Sequence, residues 1–182
     1  MKSFLILFLL AATTFVYSQD ISIPEPEFIG EIVYVASDNN PVDLEMQTAS
    51  IRSGKSVGRM VTGAGKNKVL VVVKGAKSPV RIKKSDTIYF VYNNGSNDIT
   101  PRKVIQLLEF ESEKKTREYL FANSSNLTGQ TTQGELNLIN YKAKKYGETS
   151  YLIIVSNLPV GEYAFFLGDE ESRDAYLFGV DE

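Results

Sequence analysis

Leu158-Pro159-Val160-Gly161-Glu162-Tyr163 lies between two apolar runs, residues 151–155 and 163–167, and its reading decides the fold. A leucine, a turn containing glycine and then a tyrosine at the start of a strand make the pattern of a tyrosine corner. In Greek-key sandwiches the hydroxyl of that tyrosine bonds back to the backbone a few residues upstream and pins the crossover between sheets. Leu158, Gly161 and Tyr163 are therefore read as scaffold, in preference to Tyr163 as an acid or a stacking platform for a ligand.

Outward from this turn, the chain repeats short β-rich runs and turns. Residues 28–35, 69–73, 87–92, 104–111, 116–122, 136–141 and 175–180 are rich in Val, Ile, Tyr and Phe, the residues that fit a pleated surface. Val42, Leu44 and Met46 alternate with Asp43, Glu45 and Gln47, which predicts a strand with one buried face. Asn93-Asn94-Gly95 supplies a tight turn, and Ser112-Glu113-Lys114-Lys115 closes a hairpin. No stretch carries an apolar helical stripe over three turns. The expected fold is all-β: a single immunoglobulin-like, Greek-key β-sandwich over residues 28–182, preceded by an extended segment, 19–27.

The N-terminus reads as a leader. Lys2 is followed by an apolar run from Phe4 to Ala12, and the chain then passes through Val16 and Ser18 to Gln19. That is the pattern of a secretory signal peptide cut after Ser18, and the run is too short to span a bilayer, which takes about 20 apolar residues. The expectation is export to the periplasm or exterior of a bacterium, with no transmembrane segment in the mature chain.

Composition excludes whole classes of chemistry. The 182 residues include no His, Cys or Trp. Ser-His-Asp and Cys-His catalysis, zinc sites of the usual ligands and disulfides are all ruled out. No cofactor is expected. Ser78 lies beside Lys77, but neighbours on a strand point to opposite faces. Residues 53–66 imitate a phosphate-binding loop, yet Met60 stands where the first glycine belongs and Asn67 follows Lys66. Asp169-Glu170-Glu171-Ser172-Arg173-Asp174 lacks the spacing of a calcium loop and reads as a solvated hairpin tip.

The charge layout is more informative than the net charge of −2. Residues 19–46 hold seven acids and no base, residues 49–85 ten bases and no acid, and residues 148–182 eight acids against Arg173 alone. Within the basic stretch, Lys74, Lys77, Arg81, Lys83 and Lys84 are candidates to face an anion, with Lys77, Arg81 and Lys83 sharing parity if no bulge intervenes near Pro79. The alternative is that the acidic terminal strands neutralise these bases across the sheet.

Lys74-Gly75-Ala76-Lys77-Ser78-Pro79-Val80-Arg81-Ile82, Lys145-Tyr146-Gly147-Glu148, Leu158–Phe165 and the closing Phe178-Gly179-Val180-Asp181 together resemble a family of exported bacterial all-β proteins, most similar to members from the Bacteroidetes. The resemblance spans residues 28–181. It implies an exported all-β domain and carries no activity, ligand or catalytic residue with it. The leading expectation is a non-catalytic binding module of the cell envelope, with an anionic glycan, lipid or protein as partner and no nucleic acid. Two alternatives are a structural subunit docking through a strand edge and a carboxylate-dependent hydrolase.

Overall fold

The computed structural model describes residues 21–55, 66–125, 131–133, 138–168 and 173–182. They form an all-β sandwich. One layer is an antiparallel five-stranded sheet in the order β11 (Lys142–Tyr146), β12 (Ser150–Ser156), β7 (Thr87–Asn93), β1 (Ile32–Val35) and β2 (Pro41–Asp43). The second runs β3 (Glu45–Thr48), β14 (Asp174–Asp181), β13 (Gly161–Leu167), β8 (Ile105–Ser112), β9 (Thr116–Ser125), β5 (Lys66–Lys74) and β4 (Ser50–Lys55). Two short strands join it at the side: β10 (Thr131–Gln133) on β9, and β6 (Arg81–Lys83) parallel to β14.

This second sheet adds a feature to the expected sandwich. β3 and β4 stand at opposite ends of its order, yet only Ala49 separates them in the chain. Residues 45–55 therefore close the sheet on itself, pairing first with β14 and then with β5. The Ala49 N–H donates to the Arg173 carbonyl at 2.8 Å across the junction.

Strand alternation sorts the side chains into three apolar layers. Between the sheets, Ile88, Phe90 and Tyr92 meet Tyr163, Phe165 and Phe178. Phe90 lies edge-on to Phe165, with ring centroids 4.9 Å apart. Inside the rolled sheet, Val73, Leu108, Phe110, Tyr119, Ala164 and Leu177 form a second core. On the outer face of the five-stranded sheet, Val33, Val35 and Val91 are covered by Ile23 from the extended N-terminal segment.

That segment is held by side chains. The Tyr146 hydroxyl bonds both the N–H and the carbonyl of Ile23, and the Glu25 carboxylate accepts from Glu148 N, Thr149 N and Thr149 Oγ1. The Ser150 hydroxyl and the Glu148 N–H are the main causes that lower the Glu25 carboxyl to about 2.

The tyrosine corner is present. The Tyr163 hydroxyl donates to the Pro159 carbonyl at 2.9 Å, and Leu158 is buried. A Cβ on Gly161 would stand 3.1 Å from the Tyr163 oxygen, so glycine gives that ring its room. Burial, with Glu109 nearby, pushes the Tyr163 phenol up to about 12.

Several local expectations change. The first strand begins at Ile32, because residues 27–30 turn and Gly30 takes a φ of 92°. Of Val42, Leu44 and Met46, only Leu44 is buried. The chain leaves one sheet for the other at Leu44, and beyond it Glu45 and Gln47 face inward in place of Met46. β11 lies at 142–146, whereas residues 138–141 of the expected 136–141 strand contribute only an isolated bridge, Leu108 to Leu138. Of the stretch that imitates a phosphate-binding loop, residues 53–55 belong to β4 and Lys66 begins β5; residues 56–65, and 169–172 of the acidic turn, lie outside the described residues.

Candidate functional site

The strand registers place two groups of loops at opposite ends of the sandwich. Asn93 pairs with Ser150 at one end of the five-stranded sheet and Thr87 with Ser156 at the other. The second end continues into residues 157–160, the start of β13, the end of β14, β6 and the β8–β9 turn. It is here that the basic candidates lie.

Residues 75–80 link β5 to β6. Gly75 turns the chain with a φ of 81°, a left-handed conformation that favours glycine. Its N–H donates to the Lys115 carbonyl at 2.9 Å, and Ser112 Oγ donates to the Ala76 carbonyl. These two bonds lay the loop against the β8–β9 turn. Lys74 and Lys77 thereby join Lys114 and Lys115, while Lys83 and Lys84 sit at the end of β6 beside Asp181. All six lysines are exposed, and none forms an ion pair with a described residue. Lys114 and Lys115 are additions to the sequence reading: their hairpin was legible, but its neighbour was not.

Arg81 is different, and the expectation that it faces an anion is corrected. Its Nε and Nη2 donate to the two carboxylate oxygens of Asp181, and its Nη1 donates to Glu162. The fork of donors is occupied by the protein itself. Asp181, with Glu162, raises the Arg81 pKa, and the Arg81 hydrogen bonds hold the Asp181 carboxyl below its ordinary range. Nor does alternation carry from Lys77 to Arg81. The strand begins only at Arg81, after Ser78 and Pro79 have broken the pleat. A Cβ on Gly179 would fall 1.6 Å from Arg81 Nη1, so β14 is kept bare where the guanidinium crosses it.

Behind Arg81 lies a residue the sequence reading missed. Arg117 on β9 is fully buried. Its guanidinium donates to both oxygens of Glu45 and to the carbonyls of Lys74 and Gly75, and it stands 3.6 Å from Glu162. Charges thus alternate through the closed end of the rolled sheet: Asp181, Arg81, Glu162, Arg117, Glu45. Burial works to raise the Glu45 pKa, but the hydrogen bonds from Arg117 and Gln47 win and hold it below the usual carboxylate range. Parity was the available signal, since Arg117 is two residues from the inward-facing Tyr119.

An open groove of about 840 Å³ adjoins this end, with Lys77, Arg81, Glu109, Glu111, Glu118 and Val160 among its lining residues. Arg81 is occupied as described, and Glu118 pairs with Arg52 at 2.7 Å. Glu162, in the groove wall, is held by Arg81 and by the Ser78 N–H. Among the described residues, no group of three or more His, Cys, Asp or Glu is arranged to hold a metal ion. No helix among them is long and apolar enough to cross a membrane.

No protein-family model matches the chain, and neither a curated protein nor a solved structure shows significant similarity to it.

Proposed function

We propose that this chain is an exported, non-catalytic binding module of a bacterial envelope, working in the periplasm or at the cell surface, and that its lysine-rich end receives an anionic partner. One observation carries the reading: the Gly75 N–H to Lys115 carbonyl bond, which brings Lys74 and Lys77 together with Lys114 and Lys115. Sequence separates these pairs by about forty positions. That bond brings the two turns side by side, which supports reading their exposed lysines as one surface where like charges reinforce attraction for an anion.

Strand-edge docking has less support. In the five-stranded sheet, edge strand β2 is three residues long and starts with Pro41, and edge strand β11 carries Lys142, Lys144 and Lys145. Short length, proline and lysine are the usual means of blunting an edge. The second sheet closes through residues 45–55. A carboxylate-dependent hydrolase would need two carboxylates converging in the groove, and of those lining it Glu162 is bonded to Arg81 and Glu118 to Arg52.

The test is retention on a heparin column over a salt gradient. The mature protein is expected to be retained and to elute earlier after Lys77→Glu with Lys115→Glu, because exposed charges act through a screened field. Flow-through of the unaltered protein at low salt would overturn the proposal.

A further inference from the structure

Exposed loops are ordinarily the loosest parts of a domain. Residues 74–78 are held instead by side chains from four strands. Gln47 bonds both the N–H and the carbonyl of Lys74; Arg117 takes the carbonyls of Lys74 and Gly75. Ser112 takes the carbonyl of Ala76, and Glu162 takes the N–H of Ser78. The N–H groups of Ala76 and Lys77 have no partner among the described residues. A surface turn needs none of this, and burying Arg117 is expensive in desolvation. The arrangement is intelligible if the loop must hold one shape while Lys74 and Lys77 stay exposed.

We infer that residues 74–78 are a preorganised recognition loop for an anionic glycan chain, contacting it through Lys74, Lys77 and the N–H groups of Ala76 and Lys77, with Gln47, Ser112, Arg117 and Glu162 as positioning residues. This rests on the anion-binding reading above and names its ligand class and the machinery behind it. A loop ordered in advance spends less free energy on ordering when the ligand arrives. A glycan fits better than a bilayer because acids stand among the lysines: Glu109, Glu111 and Glu113 are exposed, and Asp181 lies beside Lys83. A flat anionic surface would press all of these against like charge, whereas a narrow chain can pass between them.

The test uses the mature protein and the double variant Gln47→Ala, Ser112→Ala, which removes no charge. Two readouts are taken: tryptic cleavage after Lys74 or Lys77, and affinity for heparin oligosaccharides beside phosphatidylglycerol vesicles. The variant is expected to be cut roughly tenfold faster in this loop and to bind heparin roughly three- to tenfold more weakly with every lysine present. Faster cutting with unchanged heparin affinity would overturn the inference and leave the lysine surface standing. Cutting at the unaltered rate would overturn the positioning roles. Binding to vesicles but not to heparin would overturn the glycan. If the unaltered protein binds neither probe, the anion-binding reading itself fails, and the inference falls with it even where the loop resists trypsin.

Discussion

The two ends of the sandwich solve the same problem with different chemistry. At the end carrying Asn93 and Ser150, the extended N-terminal segment is fastened by neutral donors and one carboxylate: Tyr146 on Ile23, Asn93 on the Pro26 carbonyl, and backbone N–H groups on Glu25. At the opposite end, residues 74–84 are fastened by five charged groups in alternating order, two of which, Arg117 and Glu162, are buried. The exposed surface differs too. The first end shows Phe28, Ile29 and Ile99 beside the exposed Lys145–Asp98 pair, and the second shows a group of lysines without ion pairs among the described residues. An internal network of fixed charges shapes the end that presents the lysines.

The largest effect that separates the two ends is expected at Arg117. Arg117→Met should cost about 3–5 kcal/mol in urea unfolding, because Glu45 loses its partner in a partly buried place. Adding Glu45→Leu should recover part of that loss, since it removes the unpaired carboxylate, while Glu162 and the carbonyls of Lys74 and Gly75 still lack the guanidinium. A double variant as unstable as the single one would mean that the pair itself stabilises the fold.

At the other end, Gly147→Ala should cost about 1–2 kcal/mol, the usual penalty for a side chain in the left-handed region. Gly147 has a φ of 56°, and a Cβ there would fall 2.0 Å from a Glu25 oxygen. Thermal unfolding measures the loss, which should come with release of Ile23 from Tyr146. Unchanged stability would show that Glu25 swings away freely and that the segment is not clamped.

The smallest effect is acid release of that segment. The Glu25 carboxyl lies at about 2 in the folded chain against an ordinary 4.5. Its contribution is therefore fully present above pH 4.5 and is lost as the pH falls from there toward 2. The Thr149 amide resonance should follow this low transition. A midpoint near 4.5 would mean that the Glu25 bonds carry no weight in solution.

How much of this was legible depended on which side chains faced inward. Where a strand is apolar on both faces, as at Ile88, Phe90, Val91 and Tyr92, its richness in Val, Ile, Tyr and Phe marked it from sequence alone. The tyrosine corner was equally readable, because Leu158, Gly161 and Tyr163 each have one steric task in a short turn. Alternation misled at Val42, Leu44 and Met46, where the strand changes sheets and then turns polar Glu45 and Gln47 inward to grip Arg117 and Lys74. The lysine-rich end was half legible. Lys74 through Lys84 stood out as a basic run, but Arg81 is consumed by Glu162 and Asp181, which are about eighty and one hundred positions away. No local pattern contains such partners. The approach of Lys114 and Lys115 depends in the same way on a contact between two turns.

Residue-resolved titration tests most directly whether the lysine-rich end is the binding surface. Heparin oligosaccharides added to isotope-labelled mature protein at low salt should shift amide resonances within 74–84 and 112–116, and leave those of Phe28, Ile29 and 94–100 in place. Shifts confined to the opposite end, or none at either, would contradict it.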